Sequence, residues 1–139
     1  MNLTPRTRIE PSEWAANGMK TILVADDNNA NRELISEILQ ARGFHVVEAR
    51  DGADAIRLME TSTPDLVLLD VHMPNLDGYG ALARLRSDPR YRELPIVALT
   101  ASAMRGDEER ALSSGFTAYL AKPYEIPEVL QLVQELIGG

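Results

Sequence analysis

From Thr21 onward the chain alternates between two rhythms: short, nearly unbroken apolar runs, and longer segments whose apolar residues return every three or four positions. The first run, TILVA at 21–25, has no polar face after its threonine, which suits a strand covered on both sides. Leu34, Ile35, Ile38 and Leu39 then repeat at helical spacing to about residue 41, and Gly43 supplies a stop. FHVVEA at 44–49 predicts a second strand, and DGADAIRLMET at 51–61 a second helix with Ala55, Ile56 and Met59 on one side. After Pro64, DLVLLD at 65–70 predicts a third strand, and a helix follows over 78–86 with Leu82 and Leu85 inward. PIVALT at 95–100, a helix over 105–114 stopped by Gly115, and TAYLA at 117–121 come next. Ile126, Val129, Leu130, Val133, Leu136 and Ile137 mark a last amphipathic helix.

Strict alternation of strand and helix predicts an α/β fold: a parallel sheet with helices on both faces and right-handed crossovers. No internal repeat is visible, and no second domain is expected after Gly138-Gly139. Residues 1–19, with two prolines, a glycine and no sustained period, read as a flexible N-terminal extension, and the domain as 20–139. Met19 would serve as an alternative start, and Trp14, the only tryptophan, reads as a loosely packed tail residue.

A length of 139 residues is enough for one domain with a sizeable core. The absence of cysteine removes disulfides and thiolate metal sites and fits a reducing compartment, so a cytoplasmic location is expected. No apolar run approaches the ~20 residues needed to cross a bilayer, so no membrane partner is expected. A net charge of -7 argues against direct nucleic-acid binding, which depends on neutralising phosphates.

In a doubly wound sheet, sites form beyond the carboxyl ends of the strands. The first strand delivers Asp26 and Asp27 there, the third Asp70, the fourth Thr100, and the fifth leads into Lys122. Adjacent acids often only favour a helix start, Thr100 could cap a turn, and a lysine before proline is often solvated. The convergence is what carries information. Three carboxylates cannot share a small site without a cation, and hard oxygen ligands with room for water suit Mg²⁺. A metal, a lysine and a threonine around a central aspartate resemble a phosphoryl-transfer site. Asp70, at the end of the most apolar strand, is the candidate nucleophile, and Asp26 and Asp27 the candidate metal ligands.

The DD after the first strand, LLDVHMPNLDG after the third, LTA after the fourth and LAKP after the fifth resemble the receiver domain of bacterial two-component response regulators. The resemblance runs from Lys20 to about Ile137, with Asp70 and Thr100 separated by 30 residues and Thr100 and Lys122 by 22. It implies a flavodoxin-like (βα)5 fold with strand order 2-1-3-4-5. It implies that Asp70 accepts a phosphoryl group from a phosphohistidine of a sensor histidine kinase or a histidine phosphotransfer protein. Asp26, Asp27, Asp70 and the backbone carbonyl of His72 would hold Mg²⁺, with Mn²⁺ as a substitute. Lys122 would pair with Asp70 and then with the phosphoryl group, Thr100 would move to it, and Tyr119 would be the switch aromatic that turns inward. The Lys122-Pro123 bond would be cis. The surface of the fourth helix, fifth strand and fifth helix would then change for an unidentified downstream protein. No enzymatic activity is expected beyond the domain's own phosphorylation and dephosphorylation.

Other residues have plainer roles. Pro74 and Asn75 suit a turn, and Gly78 is expected to allow unusual dihedrals, with Asp77 and Gly78 structural. The His72 ring is expected to face solvent, with this position and Ser102 influencing dephosphorylation, and His45 to be an edge or surface residue. RLRSDPRYR at 84–92 reads as a solvated face in preference to a docking patch. Two rival functions are weaker. An aspartyl-phosphate phosphohydrolase needs a second acid two residues after the nucleophile, where His72 stands. A flavodoxin-like cofactor binder needs a glycine- or hydroxyl-rich loop where DDNNANR is acidic.

Overall fold

The computed structural model describes residues 19–73, 75–100 and 106–138. The expected extension with Trp14, the turn residue Pro74, Ser102 and the first residue of the expected 105–114 helix lie outside the described residues. Five parallel strands, β1 (Thr21–Ala25), β2 (His45–Ala49), β3 (Leu66–Asp70), β4 (Ile96–Thr100) and β5 (Ala118–Ala121), form one sheet in the order β2-β1-β3-β4-β5. The helices between and after them are α1 (Asn29–Ala41), α2 (Gly52–Ser62), α3 (Gly78–Arg86), α4 (Asp107–Ser114) and α5 (Ile126–Ile137), with a short 3-10 turn at Pro89–Tyr91. Strands β2 to β5 each begin one residue later than the apolar runs predict. Pro95, for example, has no N–H for the ladder, and its carbonyl instead accepts from Val67.

Alternation along each strand builds two cores. Leu23, Val67, Leu69, Ile96 and Ala98 pack against α2, α3 and α4. Ile22, Val24, Leu68, Val97 and Leu99 point the other way, against Ile35 and Leu39 of α1 and Val129 and Val133 of α5. The three central strands are buried at every position, which is why they read as continuous apolar runs. His45 is half-buried at the start of β2, an edge strand as expected.

Three sequence expectations are corrected. Leu34 and Ile126 belong to the apolar periodicity of α1 and α5, yet they are 51% and 45% exposed. In α1 the buried face is instead Arg32, Ile35, Ser36 and Leu39, so a charged residue takes a core-facing place. In the turn before α3 the left-handed backbone falls on Asn75, with φ of 68°, and not on Gly78. Gly78 is required by space, because it abuts the backbone at the end of β3. Finally, 84–92 is not simply a solvated face. Arg86 donates to the carbonyls of Gly115 at 3.0 Å, Tyr91 at 2.7 Å and Leu94 at 2.8 Å, tying the end of α3 to the loops entering β4 and β5.

Candidate functional site

All five strands run the same way, so the sheet register delivers their last residues to one edge. Ala25 lies beside Leu69, Asp70 beside Leu99, and Thr100 beside Ala121. One residue past β1 and β5 stand Asp26 and Lys122. Asp26, Asp27, Asp70, Thr100 and Lys122 are brought to this edge, while Tyr119 lies two positions back along β5, beside Ala98.

Asp26 is fully buried and Asp70 nearly so, while Asp27 is exposed. Each of the three offers a carboxylate oxygen within 4.8 Å of the other two. The Lys122 ammonium bridges two of them, 2.7 Å from Asp70 Oδ2 and 3.1 Å from Asp26 Oδ2. The remaining oxygens are held by backbone: Asp70 Oδ1 accepts from the His72 N–H at 2.8 Å, and Asp26 Oδ1 from the Asn28 N–H at 2.9 Å. The same Asn28 caps α1, its side chain accepting from the Asn31 N–H. Among the described residues this is the one group of three acids able to share a metal ion.

Three carboxylates against one ammonium leave a local charge of about -2, which one divalent cation would neutralise. Burial pushes the Asp70 carboxyl up from its ordinary value, and the charge of Asp26 adds to this against the pull of Lys122 and the His72 N–H. Burial would lower Lys122, but its two carboxylate partners outweigh that and hold its ammonium above the ordinary lysine value. The donor set of carboxylates, with one member exposed and no histidine ring or thiolate, fits a hard cation such as Mg²⁺ that keeps part of its water.

Around this centre the supporting elements are close. Gly78 approaches the end of β3 so tightly that a Cβ there would lie 2.5 Å from the Asp70 carbonyl oxygen. The Lys122 N–H donates to the Thr100 carbonyl at 2.6 Å, and the Lys122-Pro123 bond is cis, as the resemblance implied. Thr100 is buried, and with Val71, His72, Ala98 and Tyr119 it lines a cavity of about 70 Å³ under α4. Tyr119 is half-buried at its rim, and its phenol is raised by burial first and then by the charges of Asp107 and Glu108. The His72 residue is exposed at the mouth.

Sequence reasoning passed over Arg32. It is 8% exposed, and its guanidinium donates to the Asp26 carbonyl at 2.8 Å, Glu48 Oε1 at 2.9 Å and Asn29 Oδ1 at 2.7 Å. The signal that could have found it was its position: Arg32 precedes Ile35 and Leu39 by three and seven residues, on the face that enters the core.

Comparison with known proteins places this geometry. The family model for the response regulator receiver domain matches residues 22–134. The polar-differentiation response regulator DivK of Brucella anthropi is 33% identical over 119 residues, covering 86% of this chain and 97% of that protein. Among solved structures, the receiver domain of a sensor histidine kinase from Pseudomonas aeruginosa, with a magnesium ion coordinated in its active site cleft, is 38% identical with a TM-score of 0.79, covering 87% of this chain and 99% of that one. Vibrio cholerae chemotaxis protein CheY4 is 28% identical with a TM-score of 0.80, covering 86% and 99%. The order of the strands, the acidic edge and the match over nearly the whole described domain agree: this chain belongs to the response regulator receiver domain family.

Proposed function

We propose that the protein is a phosphoacceptor switch in which Asp70 takes a phosphoryl group from a phosphohistidine of a sensor histidine kinase or a histidine phosphotransfer protein. The observation that carries this reading is the bridge from Lys122 to Asp70 and Asp26 within one three-carboxylate cluster. An Asp70 oxygen forms the new P–O bond while the P–N bond to the donor imidazole breaks, and the electron pair leaves with the imidazole. Asp26, Asp27, Asp70 and the His72 carbonyl are the groups that would hold Mg²⁺, or Mn²⁺ in its place. Bound there, the ion supplies positive charge to the transferring phosphoryl oxygens. Asp26 and the His72 N–H hold the cluster in place, Lys122 exchanges its Asp70 partner for a phosphoryl oxygen, and Thr100 hydrogen-bonds another.

Two features support a switch with partners. The cavity that Thr100 and Tyr119 share leaves room for the ring to turn inward, which would reshape the α4-β5-α5 surface for a downstream protein. Leu34 in the second turn of α1 and Ile126 at the start of α5 are exposed apolar residues on helices that cover the same sheet face. With every strand pointing to the acidic edge, the beginnings of both helices flank it, and these side chains suit a phosphodonor protein approaching Asp70. No helix of the described residues is long and apolar enough to cross a membrane. We place the domain in the cytoplasm, with no substrate beyond its own aspartate. The phosphohydrolase alternative has the exposed His72 where it needs an acid.

The test is intact mass after incubation with Mg²⁺ and acetyl phosphate. The expected result is a gain of one phosphoryl group, absent in Asp70→Asn and abolished by EDTA. A gain that persists in Asp70→Asn assigns the acceptor elsewhere and ends this reading.

A further inference from the structure

We propose that Arg32 is a positioning residue of the acidic site: through the backbone of Asp26 it sets the direction in which Asp26 and Asp27 present their carboxylates to a divalent cation. The inference rests on the reading of the acidic cluster as a magnesium site, and it concerns a residue outside that cluster.

A buried arginine is costly unless its donors are matched. Here each of the three guanidinium nitrogens has an acceptor, and the acceptors lie on three different segments. Nη1 reaches the Asp26 carbonyl in the loop after β1, Nη2 reaches Asn29 in the first turn of α1, and Nε reaches Glu48 on β2. The planar fork thus joins the loop that carries the acids to the edge strand beside it. On the other side of the same residue, the Asp26 N–H donates to the Ala49 carbonyl at 3.1 Å. Asp26 is therefore fixed at its amide, its carbonyl and both carboxylate oxygens.

The consequence passes to Asp27. The Asp26 carbonyl and the Asp27 N–H belong to one planar peptide unit. Holding that oxygen from Arg32 fixes the plane, and with it the direction of the Asp27 Cα. Asp27 is the exposed member of the cluster, so its placement depends most on the backbone beneath it. Partners one shell outside a metal's ligands commonly govern affinity by ten- to a hundred-fold, through orientation and not contact.

Charge makes the idea decidable, because electrostatics and positioning predict opposite signs. Arg32 is a cation near a cation site, balanced by Glu48 at 2.9 Å. If charge alone mattered, removing Arg32 would leave Glu48 uncompensated and tighten Mg²⁺ binding. If Arg32 orients the acids, its removal loosens Mg²⁺ binding by about tenfold. A role only in holding α1 to β2 would lower the melting temperature and leave the affinity of folded molecules unchanged.

The experiment is a Mg²⁺ titration of the full chain without phosphodonor, by calorimetry or amide chemical shifts, on the wild type and Arg32→Ala. Circular dichroism confirms that each is folded at the titration temperature. The expected result is about tenfold weaker binding in Arg32→Ala. Arg32→Lys is the second variant and carries the test if the alanine form unfolds. It keeps the charge, but its single ammonium cannot serve three segments, so at least threefold weaker binding is expected. Unchanged or tighter binding in the variants that fold overturns the inference and leaves the magnesium reading standing. A wild type that does not bind Mg²⁺ overturns both.

Discussion

Gly78 and Asp70 are in backbone contact: the first residue of α3 sits where a Cβ would come within 2.5 Å of the Asp70 carbonyl oxygen and 2.6 Å of the Val71 Cα. The Gly78 N–H closes the same turn by donating to the Val71 carbonyl at 3.2 Å. Both obstacles are main-chain atoms, so no rotamer change relieves the clash. Gly78→Ala should force α3 away from the end of β3, costing about 1–3 kcal/mol by overpacking. It should also slow phosphoryl uptake at Asp70, because the displaced atoms belong to the residue that reacts. Urea unfolding with an unchanged midpoint would remove the argument.

Lys122 is the only basic side chain among the described residues that bridges two acids of the site. Lys122→Met should therefore leave two buried carboxylates facing each other without their cation. The expected loss is about 1–3 kcal/mol of stability in EDTA, with a large part recovered in Mg²⁺. The wild type should also show an alkaline signature. Its folded-state lysine titrates above the ordinary 10.5, so this contribution is present below that value and disappears as pH rises through the folded one. Unfolding curves of the two proteins should converge at high pH. A constant difference from neutral to strongly alkaline pH would argue that Lys122 acts by packing alone.

Removing the charge of Asp70 should do the opposite. Burial raises this carboxyl, so its ionised form opposes folding. The stability it contributes is present below 3.8, its ordinary value, and is lost as pH rises through the raised folded value. Asp70→Asn should then melt a few degrees above the wild type at pH 7 without divalent cation, while Lys122 keeps its second partner Asp26 at 3.1 Å. The advantage should shrink as pH falls. If Asp70→Asn melts lower than wild type at pH 7, the ion pair with Lys122 outweighs the burial, and ionised Asp70 stabilises the fold instead of opposing it.

How far the sequence reveals this arrangement depends on what kind of physics fixes each part. The strands and helices were readable because β1, β3 and β4 are buried on both faces and their residues carry that burial as unbroken apolar runs. The site was readable because parallel strands deliver their last residues to one edge, so Asp26, Asp70, Thr100 and Lys122 needed only the correct count of strands. Arg32 was passed over although its spacing places it on the buried face, because helical periodicity ranks residues by apolarity. A side chain that buries its charge against Asp26, Asn29 and Glu48 breaks that ranking through contacts distant in sequence. Leu34 and Ile126 failed for the reverse reason: they fit the apolar stripe by spacing, but they are 51% and 45% exposed, at the start or in the second turn of their helices. For Gly78 the residue was identified and its cause was not, since close approach to Asp70 is a tertiary fact.

Divalent cation should stabilise the fold by mass action. A ligand that binds the native state alone adds about 2.7 kcal/mol at a hundred times its Kd. Mg²⁺ should therefore raise the melting temperature in a concentration-dependent way that EDTA reverses. Asp27→Ala should blunt the response while leaving the metal-free melting point little changed, since Asp27 is exposed. An equal Mg²⁺ response in Asp27→Ala would move the metal off this cluster.

The transmission from Asp70 to the surface can be separated from phosphorylation itself. Thr100 is buried at the end of β4, and Tyr119 stands half-buried across the cavity of about 70 Å³ that both residues line. The outer wall of that cavity includes Arg110, whose guanidinium lies 4.2 Å from the centre of the Tyr79 ring, so the space is framed by side chains already held in place. Burial and the charges of Asp107 and Glu108 raise the Tyr119 phenol, which favours the neutral ring. The cavity beside it has apolar walls at Val71, Ala98 and Ala111 and polar ones at Thr100, Asp107 and Arg110. Thr100→Ala and Tyr119→Ala should each still accept a phosphoryl group, since neither side chain belongs to the acidic cluster. They should lose the response at a distance. With beryllium fluoride and Mg²⁺ as a stand-in for the phosphoryl group, amide shifts near Asp70 should change in all three proteins, whereas shifts across α4, β5 and α5 should change fully only in the wild type. If Thr100→Ala shows the complete wild-type pattern at α4 and α5, the signal leaves the site by another route, and the cavity between Thr100 and Tyr119 has no part in it.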